Sequence, residues 1–214
     1  MIKNYKIQRP KFIEELIKIN NINEEIRDLG KIQNSIVEDI EIDNIYEKGL
    51  TIDSCIFKNV IFNECSLHSV DLLDTVFENC DLSNIDFGGG SIHRVEFKNC
   101  KLLGAKFDEC NLKEVGFFNT VAKYINCSYS KFKNVIIKEC NFSDGTFQQV
   151  KLDKVSFNDS SLENAYFNKT NLNKIDLTTC NISGIDIEIE NLSGVVVNTM
   201  QALDLTRLMK IVIK

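Results

Sequence analysis

One residue in five is large and apolar, and the count does not slip for about two thirds of the chain. From Ile52 the register reads Phe57, Phe62, Leu67, Leu72, Phe77, Leu82, Phe87, Ile92, Phe97, Leu102, Phe107, Leu112 and Phe117. It lapses at Ala122 and Cys127 and resumes at Phe132, running through Ile137, Phe142, Phe147, Leu152, Phe157, Leu162 and Phe167 to Val197. Of the 14 phenylalanines, 12 fall in this one register. A period of five belongs neither to a strand, which repeats every two residues, nor to an α-helix, at 3.6. It belongs to a repeat architecture, and repeats override every local signal.

A second register, two residues earlier, holds small or β-branched residues: Cys55, Val60, Cys65, Val70, Val95, Cys100, Ala105, Cys110, Val115, Val135 and Val155. The other three positions of each five are mostly polar. One large and one small inward residue per five suit a chain that turns a corner every five residues. Four sides then close a square coil of twenty, and coils stack at the strand spacing of ~4.8 Å. Residues twenty apart form columns, such as Phe57, Phe77, Phe97, Phe117, Ile137 and Phe157. On the outside, Asn59, Asn79, Asn99 and Asn119 should form an amide ladder. On this register Phe97→Asp should abolish soluble expression, because it places a charge in a column. Lys98→Ala, on the outside, should be nearly silent.

The pattern of a small residue, then often Asp or Asn, then Leu or Phe, then two polar residues, is written out at Val70-Asp71-Leu72-Leu73-Asp74, Cys80-Asp81-Leu82-Ser83-Asn84 and Ala165-Tyr166-Phe167-Asn168-Lys169. It resembles the pentapeptide-repeat proteins. The resemblance implies an all-β fold, a right-handed quadrilateral β-helix with short helical caps at both ends. It also brings to mind the Qnr-type members, which bind type II topoisomerases and protect them from quinolones or inhibit them. Many Qnr proteins of Gram-negative origin carry loop insertions that engage the topoisomerase. No insertion interrupts the count here, so the resemblance is to loopless relatives of Gram-positive origin.

The expected organisation is a helical cap over residues 1–34, a repeat over 35–197 and a C-terminal helix or tail over 198–214. Near the start, Pro10, Phe12, Leu16 and Ile19 suggest a helix over about residues 10–20, and Asn23 a cap for a second short helix ending at Gly30. That region either covers the first coil, whose open edge would be an aggregation hazard, or serves as a partner-binding arm. Ser35 to Leu50 reads as one degenerate coil. Gly88-Gly89-Gly90 is a corner that either needs unusual backbone angles or admits a close partner. Beside the two lapses, Phe118, Tyr124 and Tyr129 are formally outward. They either shield an underfilled coil or form an exposed aromatic interaction patch. At the far end Leu205, Leu208, Met209 and Val212 have helical spacing. With Ile211 they are the candidate interface of the twofold homodimer that the Qnr resemblance implies, the alternative being a plain cap on a monomer.

The net charge is −6. It lies in the repeat, and no basic stripe is present, which disfavours direct nucleic-acid binding. There is no run long enough to span a membrane and no apolar leader behind the charged amino terminus. The expectation is therefore a cytoplasmic protein with no membrane association. All eight cysteines fall in the two inward registers and read as reduced core thiols. No paired Cys-x-x-Cys suggests zinc, and His68 and His93 lack a nucleophile and acid at motif spacing. The chain reads as a non-enzyme with no cofactor. Its candidate partner by resemblance is a type II topoisomerase, DNA gyrase above all, engaged as a partial mimic of duplex DNA. The alternative is a scaffold for some other protein. Charge tempers the mimicry: a rod of roughly 36 Å at strand spacing matches DNA carrying about 21 charges at one per ~1.7 Å. The side built on Leu72, Ile92, Leu112, Phe132 and Leu152 also carries Arg94, Lys113, Lys131, Lys133, Lys151 and Lys154, so it is basic.

Overall fold

The computed structural model describes residues 6–211. The five-residue count becomes a square coil that advances by one coil every twenty residues. Each coil from that starting at Lys31 to that starting at Lys151 opens with an eight-residue strand, and the next, from Asn171, is held by turns and bridges. The chain order is β1 (Ile17–Lys18), α1 (Ile22–Leu29), β2 (Lys31–Glu38), β3 (Glu41–Asp43), β4 (Thr51–Lys58), β5 (Ile61–Asn63), β6 (Asp71–Glu78), β7 (Ser91–Lys98), β8 (Asn111–Phe118), β9 (Lys131–Lys138), β10 (Lys151–Asn158) and α2 (Thr199–Leu205). The long strands stack in parallel as one sheet, in the order β1-β2-β4-β6-β7-β8-β9-β10. Their register keeps the twenty-residue step: Phe57 faces Phe77, Phe77 faces Phe97 and Phe97 faces Phe117. The other two sides are held by short parallel bridges such as Ile61 to Asp81, Asp81 to Lys101 and Ser66 to Asp86.

The corners explain the polar positions. Asn59, Asn79, Asn99, Asn119, Asp74 and Asp159 all have positive φ, a conformation that Asn and Asp tolerate through local hydrogen bonding. The amide ladder forms: Asn79 Nδ2 donates to Asn59 Oδ1 at 3.2 Å, and Asn119 Nδ2 to Asn99 Oδ1 at 2.8 Å. Backbone geometry accounts for two of the three glycines in the run. Gly89 has φ +69°, and a Cβ on Gly90 would lie 2.7 Å from the Phe87 carbonyl oxygen.

Inside, the phenylalanine column stacks nearly parallel, with centroids of Phe57–Phe77, Phe77–Phe97 and Phe97–Phe117 at 4.9, 5.1 and 5.0 Å. Offset stacks of this kind add to simple burial. The volume left by Ala122 is taken from within. Phe142, one coil on, turns edge-on to Phe117 at 5.6 Å and 87°. Ala122 and Cys127 are both buried.

Both ends differ from expectation in detail. The first coil starts at Lys31, since Lys31 pairs with Thr51 and Ile32 with Ile52. It is a full coil, with Ile32, Val37, Ile42, Ile45 and Leu50 buried. The second expected helix exists as α1, but Asn21 rather than Asn23 caps it, and Gly30 closes it in the left-handed conformation. Its Ile22 is buried over the first coil. The expected helix over 10–20 does not form. That stretch is extended and ends in β1, where Ile17 pairs with Ser35. So short a helix is marginal by itself, and hydrogen bonds to the rod prevail over it.

At the far end the count holds to Val196, which bridges Asp176. Asn198 and Gln201 then form a capping box for α2. The Gln201 amide also donates to the Leu177 and Cys180 carbonyls at 2.7 and 2.8 Å, and Arg207 donates to the Ile185 carbonyl. Leu205 is buried and Leu208 packs on the core. The last coil is thus covered by a short helix that satisfies its free carbonyls. No helix among the described residues is long and apolar enough to cross a membrane.

A candidate interaction face

The outer face of the long-strand sheet departs from a solvated surface. One position before each large residue of these strands lie Ile36, Ile56, Val76, Glu96, Gly116 and Ile136, a column in strand register. Formally outward, it is apolar but for Glu96. Beside it, at the corner within each strand, lie Asp74, Arg94, Glu114 and Asn134. Val76, Asp74, Glu96 and Glu114 are all buried.

Their cover is the N-terminal arm. It runs from β8 down to β2, across the strands. The Gln8 amide donates to Glu114 Oε2 at 2.8 Å, and the Lys11 amide to Asp74 Oδ1 at 2.9 Å. Asn34 Nδ2 donates to Glu14 Oε2 at 2.7 Å. The partners step by three residues in the arm and by forty, two coils, in the rod. Ile7 and Pro10, also three apart, are half-buried, whereas Gln8, Arg9 and Lys11 are exposed. A Cβ on Gly116 would overlap the Phe118 ring and approach Ile7 Cδ1 to 3.0 Å. Glycine therefore makes the seat for both side chains. Arg9 Nε lies 3.8 Å from Glu96 Oε1, and Lys98 Nζ lies 2.5 Å from Glu96 Oε2. Lys98 is therefore not the neutral outside position expected from the register, because it neutralises a buried carboxylate.

A few of the acidic residues elsewhere are paired with a cation one coil away. Arg94 forks onto Asp74 through Nε at 2.6 Å and Nη2 at 2.5 Å. Burial alone would raise the Asp74 carboxyl, but the hydrogen bonds from Arg94 and from the Lys11 amide hold it below the usual range. Lys101 pairs with Asp81 at 3.2 Å and Lys106 with Asp86 at 3.9 Å. At these three positions the twenty-residue step sets a cation over an anion.

The expected aromatic patch is distributed. Phe118 belongs to the arm-covered face, half-buried against Gly116 and Ile7. Tyr124 and Tyr129 lie on two consecutive corners of the other sides, at φ +61° and +62°. They are 62% and 52% exposed, with Lys123 Nζ 5.3 Å from the Tyr124 ring centroid. Of the C-terminal residues, Leu205 and Leu208 face the core, while Met209 and Ile211 are exposed, as are Met200 and Leu203. Val212 lies outside the described residues. The helix ends at Leu205 and a single 3-10 turn carries Thr206–Met209, so the expected continuous amphipathic face is broken after Leu205.

All eight cysteines are free and buried. Burial pushes the thiols of Cys55 and Cys110 up to about 12 and that of Cys140 up to about 11. Cys80 and Cys100 sit one coil apart as expected, and a shared hydrogen bond, with burial second, pushes Cys100 up. His93 is pushed down by burial and by Arg94 and Lys113. His68 Nδ1 lies 3.6 Å from Asp86 Oδ1.

Comparison with known proteins agrees with the repeat. Residues 147–184 match the family model described as pentapeptide repeats, in eight copies. Residues 17–107 match a model described as the SV2A/B/C luminal domain. None of the curated proteins compared matches the chain. Among solved structures, the chain is similar to full-length QnrB1, described as a plasmid-mediated fluoroquinolone resistance protein. That match has 20% identity over 90% of this chain and 93% of that one, with a TM-score of 0.45. It is also similar to HetL of the cyanobacterium Nostoc, described as a pentapeptide repeat protein involved in heterocyst differentiation regulation, at 15% identity, 83% and 94% coverage and a TM-score of 0.31. A third is a pentapeptide repeat protein of the Arabidopsis thaliana thylakoid lumen, at 20% identity, 53% and 68% coverage and a TM-score of 0.24.

Proposed function

We propose that this pentapeptide-repeat protein is a non-enzymatic rod that binds another protein through local surfaces, not through a charge replica of duplex DNA. The pairing of carboxylates with cations one coil away, at Asp74–Arg94, Asp81–Lys101 and Asp86–Lys106, carries this reading. A DNA mimic needs unpaired anions in rows, and at these three positions the row is interrupted by a cation. The thiols of Cys55, Cys110 and Cys140, pushed up by burial, are poor nucleophiles, which supports a non-catalytic role. A rigid stack of coils instead offers long, fixed surfaces.

A type II topoisomerase is the first partner to test, on the strength of the resemblance. Supercoiling by DNA gyrase is titrated with the protein, with and without a fluoroquinolone, at low and physiological salt. Binding through a local surface would restore supercoiling in the presence of drug without inhibiting it in its absence. Inhibition that falls steeply with salt and is relieved by added duplex would overturn the reading in favour of mimicry. No effect at any ratio would remove gyrase as the partner.

A further inference from the structure

The arm-covered face has the properties of a peptide-binding groove. Its hydrogen bonds go to main-chain N–H groups, at Gln8 and Lys11, and those are features of any peptide. The match is one of pitch. Three residues of polyproline-II chain rise about 9.3 Å at ~3.1 Å each. Two coils rise about 9.6 Å at ~4.8 Å each. An extended chain laid along the rod therefore meets an equivalent corner residue every third residue, and Asp74 and Glu114 are the corners two coils apart that carry carboxylates. Side chains three apart in the arm, Ile7 and Pro10, point to the groove at the same period. Pro10 sits where no N–H is used and fixes φ near the required value. Glu96, midway between the two acceptors, faces Arg9.

We propose that this face is a binding site for an extended, basic, proline-containing segment of a partner protein, and that residues 7–11 occupy it in cis. The segment carries an apolar residue, then a free N–H, an Arg, a Pro and a second free N–H, as in Ile7-Gln8-Arg9-Pro10-Lys11. The tethered arm competes at an effective concentration on the order of millimolar, so the intact chain presents the groove in a guarded state. Two carboxylates that accept backbone N–H groups select for extended chain. The apolar seat at Gly116 and Phe118 selects the first residue. This inference rests on the reading of the rod as a protein binder, but it needs no topoisomerase. A gyrase result and a peptide result can therefore fail separately.

The test uses the full chain with its arm released by Ile7→Asp and Arg9→Glu, and a synthetic peptide of residues 6–13. Peptide is titrated against isotope-labelled protein and amide shifts are followed. The released chain should bind the peptide at least tenfold more tightly than the unaltered chain, with shifts at β6, β7 and β8. Glu114→Ala in the released chain should lose that gain. Because such variants can disturb the rod, a second arm places the change in the peptide: N-methylation at the Gln8 or Lys11 position should abolish binding, and at the Arg9 position should spare the ladder. Equal binding by released and unaltered chains, or by plain peptide and peptide methylated at the Gln8 or Lys11 position, would overturn the proposal. So would exchange of arms between copies, seen as a concentration-dependent dimer abolished by Ile7→Asp, which would make a second copy the occupant.

Discussion

The ion pair between Glu96 and Lys98 offers the sharpest test of how the outer face works. Lys98→Ala removes a partner 2.5 Å from a carboxylate whose side chain is 5% exposed, and leaves only Arg9 Nε at 3.8 Å, on a side chain 86% exposed. Breaking a fully buried pair from one side costs about 3–5 kcal/mol, because a charge is left uncompensated. Lys98 is itself 38% exposed, so water reaches the site, and we expect about 2 kcal/mol once solvent access is allowed for. In a chain of this size each kcal/mol moves Tm by roughly 2–4 °C, so the variant should melt about 4–8 °C lower. Glu96→Val attacks the same pair from the other side with the opposite result. Lys98 is freed into solvent, and valine continues the column of Val76 and Ile56 one and two coils below. Burying it returns about 1.5–3 kcal/mol against the lost pair, so stability should stay within about 1 kcal/mol or rise. The double variant should follow Glu96→Val. Urea and thermal unfolding by circular dichroism read all three. A silent Lys98→Ala, or a Glu96→Val that costs more than Lys98→Ala, would refute the burial of Glu96 beneath the arm.

Three further outcomes follow from the same structure. Phe97→Asp places a charge between Phe77 and Phe117, at a site fully shut from solvent, and should leave no soluble protein on expression; a soluble, folded variant would contradict the stacked column. The buried thiols set an alkaline limit. Their folded pKa values, about 12 for Cys55 and Cys110 and about 11 for Cys140, lie above the ordinary 9.0, so their stabilisation is complete below that value and is lost as pH rises through the folded values. Tm should fall above about pH 9, and at neutral pH a thiol reagent should label the cysteines only after denaturation. Last, the C-terminal homodimer is carried as a proposal on exposed Met200, Leu203, Met209 and Ile211. Leu203→Glu should convert a sedimenting dimer to monomer and remove the concentration dependence of Tm, and a wild-type monomer at all concentrations would remove the proposal.

The coil was legible because its period is long and strictly kept: no alternative structure puts Phe57, Phe77, Phe97 and Phe117 on one line. Corners were legible for a similar reason, since Asn59, Asn79 and Asn99 repeat with the coil and tolerate positive φ. The arm was not. Phe12, Leu16 and Ile19 have helical spacing, and local pattern cannot report hydrogen bonds to residues 106 and 63 positions away, as from Gln8 to Glu114 and from Lys11 to Asp74. An outward Asp or Glu also looks the same in sequence whether solvated or covered, so nothing local marks Asp74, Glu96 and Glu114 as buried. One signal was present. Ile36, Ile56, Val76 and Ile136 recur at twenty-residue spacing on a formally outward position, and an apolar column there implies a cover. The end of the C-terminal helix is not legible in sequence, because Leu205, Leu208 and Met209 keep helical spacing through a segment that tightens to a 3-10 turn and ends at Lys210 with φ +57°.

Amide hydrogen exchange along the arm tests most directly whether the rod reads an extended chain every third residue. In the intact protein the Gln8 and Lys11 amides should exchange slowly while that of Arg9 between them exchanges fast, and Glu114→Ala should release Gln8 before Lys11. Uniformly fast exchange from Lys6 to Phe12, or protection without the three-residue spacing, would contradict it.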